Sequence, residues 1–142
     1  MTRINDNHVE LKVPVAEDYV SVVRLLVSGL SARLGLPVDE IEDLKLMVGE
    51  AFLAIVHKAE MVTGLIHLNW KQSASQVTIS LSDPTGRHRS VMSSASIAMV
   101  QQLGGEVKSS VVDGVEHVDL DFRLEYTQDR PSVFGDRGPG RA

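Results

Sequence analysis

The chain of 142 residues has no cysteine, which excludes a disulfide framework, a thiolate nucleophile and a cysteine metal site. Aromatic residues make up only 4%, with a single tryptophan, so aliphatic side chains must fill most of any core. Positive charge is in deficit. Fourteen Lys and Arg face nineteen Asp and Glu, and the net charge of −5 repels phosphate backbones and argues against direct nucleic-acid binding. No apolar run reaches membrane-spanning length, and the polar start Met1–Asn7 lacks the hydrophobic segment of a signal peptide. No membrane association is expected, and a cytoplasmic location is.

What remains is ordinary globular material, with 43% hydrophobic and 23% charged residues in a length that suits one domain. Val9, Leu11 and Val13 alternate with Glu10 and Lys12 before Pro14, the period of a half-buried strand. Tyr19, Val22, Val23, Leu26, Leu30 and Leu34 then recur at helical spacing, behind Glu17 and Asp18, and end near Gly35. A second helix opens at Pro37-Val38-Asp39, with Asp39 as cap and Glu42 three residues on. It carries Ile41, Leu44, Val48, Ala51, Phe52 and Ile55 on one stripe to about Lys58.

Two alternating strands follow, through Ile66, Leu68 and Trp70 and through Val77, Ile79 and Leu81, joined by a polar loop over residues 71–76. A turn-rich segment from Asp83 to Arg89 leads to a third, weakly amphipathic helix carrying Ile97, Val100 and Leu103, which stops at Gly104-Gly105. Val107, Ser109 and Val111 approach Asp113-Gly114, a tight hairpin signal, and the chain returns through Val118, Leu120, Phe122 and Leu124.

The order β-α-α-β-β-α-β-β predicts an α+β, two-layer sandwich with a mostly antiparallel sheet and the helices on one face. Thr78, Ser80, His117, Asp119, Asp121 and Arg123 should line the other face. A flexible N-terminus over 1–8, a folded domain over 9–126 and a mobile tail over 127–142 are expected, because Gly, Pro, Arg and Asp replace the apolar pattern after Thr127.

Val9–Pro14 (VELKVP), Tyr19-Val20, Arg24-Leu25, Ser28-Gly29 and Asp39–Lys45 (DEIEDLK) closely resemble the RsbW and SpoIIAB anti-sigma kinases. The resemblance runs over residues 9 to 125 and is strongest before Ala59. It implies a Bergerat ATPase fold, shared with histidine kinases, and a homodimer with two activities. One is sequestration of a sigma factor, and the other is phosphorylation of a serine on an anti-sigma-factor antagonist.

Three family motifs carry the nucleotide chemistry. The first pairs a helix glutamate, the base, with a magnesium-holding asparagine four residues on. Glu50 stands at the base position, but Ala54 stands at the metal-ligand position, and a methyl group cannot coordinate a hard cation. The family's later histidine in that motif falls at Lys58, or at His57 in a shifted register. In the second motif an aspartate accepts from the adenine amino group and a glycine follows two residues later. Asp83 matches the aspartate, Thr85 takes the glycine's place, and Gly86 comes one position late.

The third motif is a glycine-rich cradle at the start of helix three. Its residues here are Ser93, Ser94, Ala95 and Ser96, which carry β-carbons throughout. With the metal ligand and both glycine elements replaced, phosphoryl transfer loses the positioning and charge neutralisation on which it depends.

The expected function is therefore that of an anti-sigma factor acting by stoichiometric binding in a partner-switching system. The family's partner-contacting arginine corresponds to Arg24, and no cofactor is expected. Two alternatives stand beside this reading. One is an active serine kinase using Glu50 and Asp83 with ATP and magnesium, and the other is a switching module for a different regulator. The five histidines, His8, His57, His67, His88 and His117, have no metal-ligand spacing, and Ser93, Ser94 and Ser96 read as helix-start residues.

Overall fold

The computed structural model describes residues 8–58, 64–84 and 92–124. The expected mobile tail, and all but His8 of the expected flexible N-terminus, lie outside the described residues. Strand β1 (His8–Pro14) starts one residue earlier than its alternation suggests and keeps Pro14 as its last residue. A proline is tolerated there because β1 is an edge strand. A 3₁₀ turn over Glu17–Tyr19 leads directly into α1 (Val20–Arg33), so Tyr19 precedes the helix whose stripe it was expected to begin. Gly35 ends α1 at φ 76°, and the amides of Leu34 and Gly35 donate back to the carbonyls of Ser31 and Ala32.

Helix α2 (Val38–Lys58) begins one residue ahead of Asp39. Asp39 therefore lies in the first turn, where it acts through the helix dipole rather than as the cap. The stripe of α2 is the centre of the core: Leu44, Met47, Val48, Ala51, Phe52 and Ile55 are all buried. Their partners are the alternate residues of β2 (Leu65–Gln72) and β3 (Gln76–Ser82), above all Ile66, Leu68, Trp70, Val77, Ile79 and Leu81. Burying each such side chain contributes about 1.5–3 kcal/mol. The β2–β3 loop is only Ser73–Ser75, shorter than the polar run suggests, because Lys71 and Gln72 pair with Thr78 and Val77 and Gln76 pairs with Arg123 on the other side of β3.

Helix α3 (Ser94–Gln102) packs Val100 into the same core. Gly105 does not belong to the helix stop but opens β4 (Gly105–Val112), where a β-carbon would stand 2.7 Å from Met47 Sδ and 3.0 Å from Val100 Cγ1. The missing side chain lets β4 start directly beneath α2 and α3. Asp113 and Gly114, at φ 54° and 81°, turn the chain into β5 (Val115–Arg123), the paired positive angles of a tight hairpin. Leu124, just beyond the strand, is buried and its amide donates to the carbonyl of Ser75.

The five strands run in the order β1-β2-β3-β5-β4, every neighbouring pair antiparallel. This is the expected two-layer α+β sandwich. The register brings Thr78 opposite Asp121, Ser80 opposite Asp119 and Ser82 opposite His117 on the face away from the helices. There Asp121 accepts from Thr78 Oγ1 at 2.7 Å and pairs with Lys108 Nζ at 3.2 Å, which satisfies a half-buried carboxylate.

Candidate functional site

Glu50 and Ala54 lie one turn apart on α2, both half-buried. Glu50 faces α3. Its Oε2 accepts a hydrogen bond from Ser96 Oγ at 2.6 Å, a contact that joins residues 46 apart in sequence. Ser96 is itself held by the helix cap: its amide donates to Ser93 Oγ at 3.1 Å, and the two hydroxyls lie 3.2 Å apart. The serines that occupy the third-motif position are therefore helix-start residues as expected, and one of them binds the first-motif glutamate. Asp83 directly follows β3 and is buried at 6% exposure. Thr85, Gly86 and the basic run Arg87-His88-Arg89 lie outside the described residues, so the match of Gly86 to the second motif has no structural counterpart here.

Arg24 occupies the seam between α1 and α2. A β-carbon added to Gly49 would meet Arg24 Nη2 at 2.6 Å and Nε at 2.7 Å, so the guanidinium lies in the notch that this glycine leaves in α2. Arg24 is half-buried, and its Nε has no hydrogen-bond partner among the described residues. Two large apolar side chains near it in sequence or on the facing helix are open to solvent: Leu25 is 71% exposed, and Leu46, one turn before Gly49, is 48% exposed. Exposed apolar side chains around a charged group that is already partly desolvated are the usual makings of an interface centre.

The histidines that can be described have separate surroundings. His8 Nε2 lies 3.0 Å from Asn69 Oδ1, His57 Nε2 lies 2.8 Å from Glu17 Oε2, and His67 and His117 stand on the open sheet face. Among the described residues no three His, Cys, Asp or Glu converge as a metal site. Asp43 on α2 has its carboxyl raised above the usual carboxylate range, first by burial and then by the charge of Asp39 one turn away. No helix among the described residues is long and apolar enough to cross a membrane.

Two of these features escape a reading of the sequence. The Glu50–Ser96 bond leaves no local signal, because it joins two helices across a strand pair and a loop. The Arg24 notch leaves one, a glycine in the middle of a 21-residue helix, where glycine costs about 1 kcal/mol against alanine.

No protein-family model matches the chain. Among curated proteins, the serine-protein kinase RsbW of Bacillus subtilis (strain 168) is 46% identical over 55 residues, which cover 39% of this chain and 34% of that protein. The serine-protein kinase RsbW of Staphylococcus aureus (strain MRSA252) is 33% identical over 81 residues, covering 55% of this chain and 51% of its own. A crystal structure of the RsbU and RsbW domains of a Mycobacterium tuberculosis protein superposes with a TM-score of 0.66 over 82% of this chain and 32% of that one, at 20% identity. The chain is RsbW-like. The sequence matches are to proteins of the RsbW type, and the superposition gives the fold alone, a two-layer α+β sandwich shared with that structure. The matched stretches span about a third to a half of the curated relatives' length, so the RsbW-like chain shares with them a segment, and their whole activity is not carried over by similarity alone.

Proposed function

We propose that this RsbW-like chain is an anti-sigma factor that sequesters an RNA polymerase sigma factor by direct binding, in a cytoplasmic partner-switching system, without effective ATP-dependent kinase activity. The observation that carries the reading is the state of the helix that would hold the nucleotide's metal. Ala54 supplies no oxygen one turn from Glu50, and the Glu50 carboxylate is engaged by Ser96. A magnesium ion needs oxygen ligands in near-octahedral array, and this pair of positions does not fit one. With no metal to neutralise the phosphates, the donor set suits holding a partner rather than transferring a phosphoryl group.

On this reading the contact surface is the α1–α2 seam. Leu25 and Leu46 would bury apolar area, and Arg24, held in place by its notch, would meet an acidic group of the sigma factor with little further ordering cost. An anti-sigma-factor antagonist would release the sigma factor by competing for this protein, which acts as a homodimer. Affinity purification from the native cell tests the proposal: a sigma factor should co-purify without added nucleotide, and its absence from the captured proteins would count against it.

The alternative reading, an active serine kinase, draws support from the relatives' name and from the carboxylates Glu50 and Asp83 at the family positions. It requires labelled phosphate to pass from ATP to a serine of the antagonist.

A further inference from the structure

The cradle that the family resemblance assigns to a nucleotide's phosphates opens here onto a side chain of the protein itself. We propose that Glu50 is a built-in anion for helix α3, a latch that fixes the helix against α2 and takes the place a bound phosphate would fill. The inference deepens the anti-sigma reading and rests on it for its regulatory meaning: the position of α3 is set without nucleotide, so release of the partner is governed by competition and not by nucleotide state.

Three observations lead to this latch. First, α3 has only nine residues, and a helix that short is marginal without tertiary anchors. Second, α3 has no acidic residue in its first turn, so it lacks an anion of its own at the end where the dipole and the free amides favour one. Third, the missing charge arrives through space. The Glu50 carboxylate accepts from Ser96 Oγ at 2.6 Å, and Ser96 Oγ lies 3.2 Å from Ser93 Oγ, the group that caps the helix. Hydrogen bonds to a charged acceptor are about twice as strong as neutral ones. A glycine at position 96 would leave this space open, whereas serine both fills it and supplies the donor. Glu50, at the family's base position, is a positioning residue in this chain.

Hydrogen exchange of the α3 amides in the full chain tests the latch, using Glu50→Ala, Ser96→Ala and the double variant. Both substitutions raise intrinsic helix propensity, so a loosened α3 cannot be blamed on a poorer helix former. Each single change should speed exchange across α3 by about tenfold, the loss of one charge-assisted hydrogen bond. The double variant should exchange no faster than either single one, since both remove the same contact. Unchanged exchange in the singles, or increases that multiply in the double variant, would overturn the latch. Nucleotide-free capture of a sigma factor by the unaltered protein is scored separately: capture with an uncoupled pair defeats the latch alone, and a coupled pair without capture defeats the anti-sigma reading alone.

Discussion

Gly49→Ala separates the stability of α2 from the placement of Arg24. A β-carbon at this position would stand 2.6 Å from Arg24 Nη2 and 2.7 Å from Nε, closer than real β-carbons come to other atoms, and a tight 3.0 Å from Cζ. These nearest obstacles belong to the far end of a flexible side chain rather than to backbone, so the guanidinium can swing out into water. Leaving the seam also frees Arg24 Nε from a buried position with no hydrogen-bond partner among the described residues. Replacing a mid-helix glycine by alanine gains about 0.8–1 kcal/mol, and the lost packing of the guanidinium offsets part of that. Stability should therefore hold or rise by up to about 1 kcal/mol, a melting temperature higher by up to about 5 °C for a domain of this size. Sigma-factor capture should fall, because Arg24 no longer lies in its notch. Chemical denaturation beside a binding titration reads both. A loss of more than about 1 kcal/mol would refute the reasoning, since it would mean that the spacing of α1 and α2, and not the arginine, requires the glycine.

Arg24→Glu should abolish or strongly weaken capture while moving the melting temperature little, because the native guanidinium has an unpaired Nε and no salt bridge among the described residues to lose. Unchanged binding in a pull-down would remove Arg24 from the contact surface. Asp43→Asn should stabilise the fold slightly at pH 7. With its carboxyl raised by burial and by Asp39, Asp43 favours the folded state fully only while protonated, and that contribution is lost as pH rises through the folded value. Removing the charge at pH 7 should recover about 0.2–0.5 kcal/mol, the cost of a like-charge pair one turn apart. Thermal melts should show the gain vanishing below about pH 3, where both the folded and unfolded carboxyls hold their protons; a gain that persists there would show another cause.

The sheet was legible because its residues alternate. Ile66, Leu68 and Trp70, then Val77, Ile79 and Leu81, announce which face is buried, and Asp113-Gly114 announces the hairpin, since few other pairs accept two positive φ angles. Element ends were less so. Tyr19 has helical spacing but sits in a 3₁₀ turn, and Asp39 has capping chemistry but follows the first helical residue, because local hydrogen bonding places ends to within a residue or two. The site was legible only as positions. Sequence puts Glu50 one turn before Ala54 and Ser96 in the first turn of a helix, yet nothing local says that the first carboxylate binds the second helix. Arg24 had the spacing of a surface residue, and its burial follows from Gly49, 25 residues away.

The central claim, that this RsbW-like chain holds its partner without nucleotide chemistry, is tested most directly by following its melting temperature while titrating Mg-ATP. A ligand bound only by the folded state at 100 times its dissociation constant adds about 2.7 kcal/mol, which is a shift of several degrees. A melting temperature that stays flat to millimolar Mg-ATP is the result expected. A rise of several degrees that Asp83→Asn abolishes would contradict it and return Glu50 and Asp83 to a working nucleotide pocket.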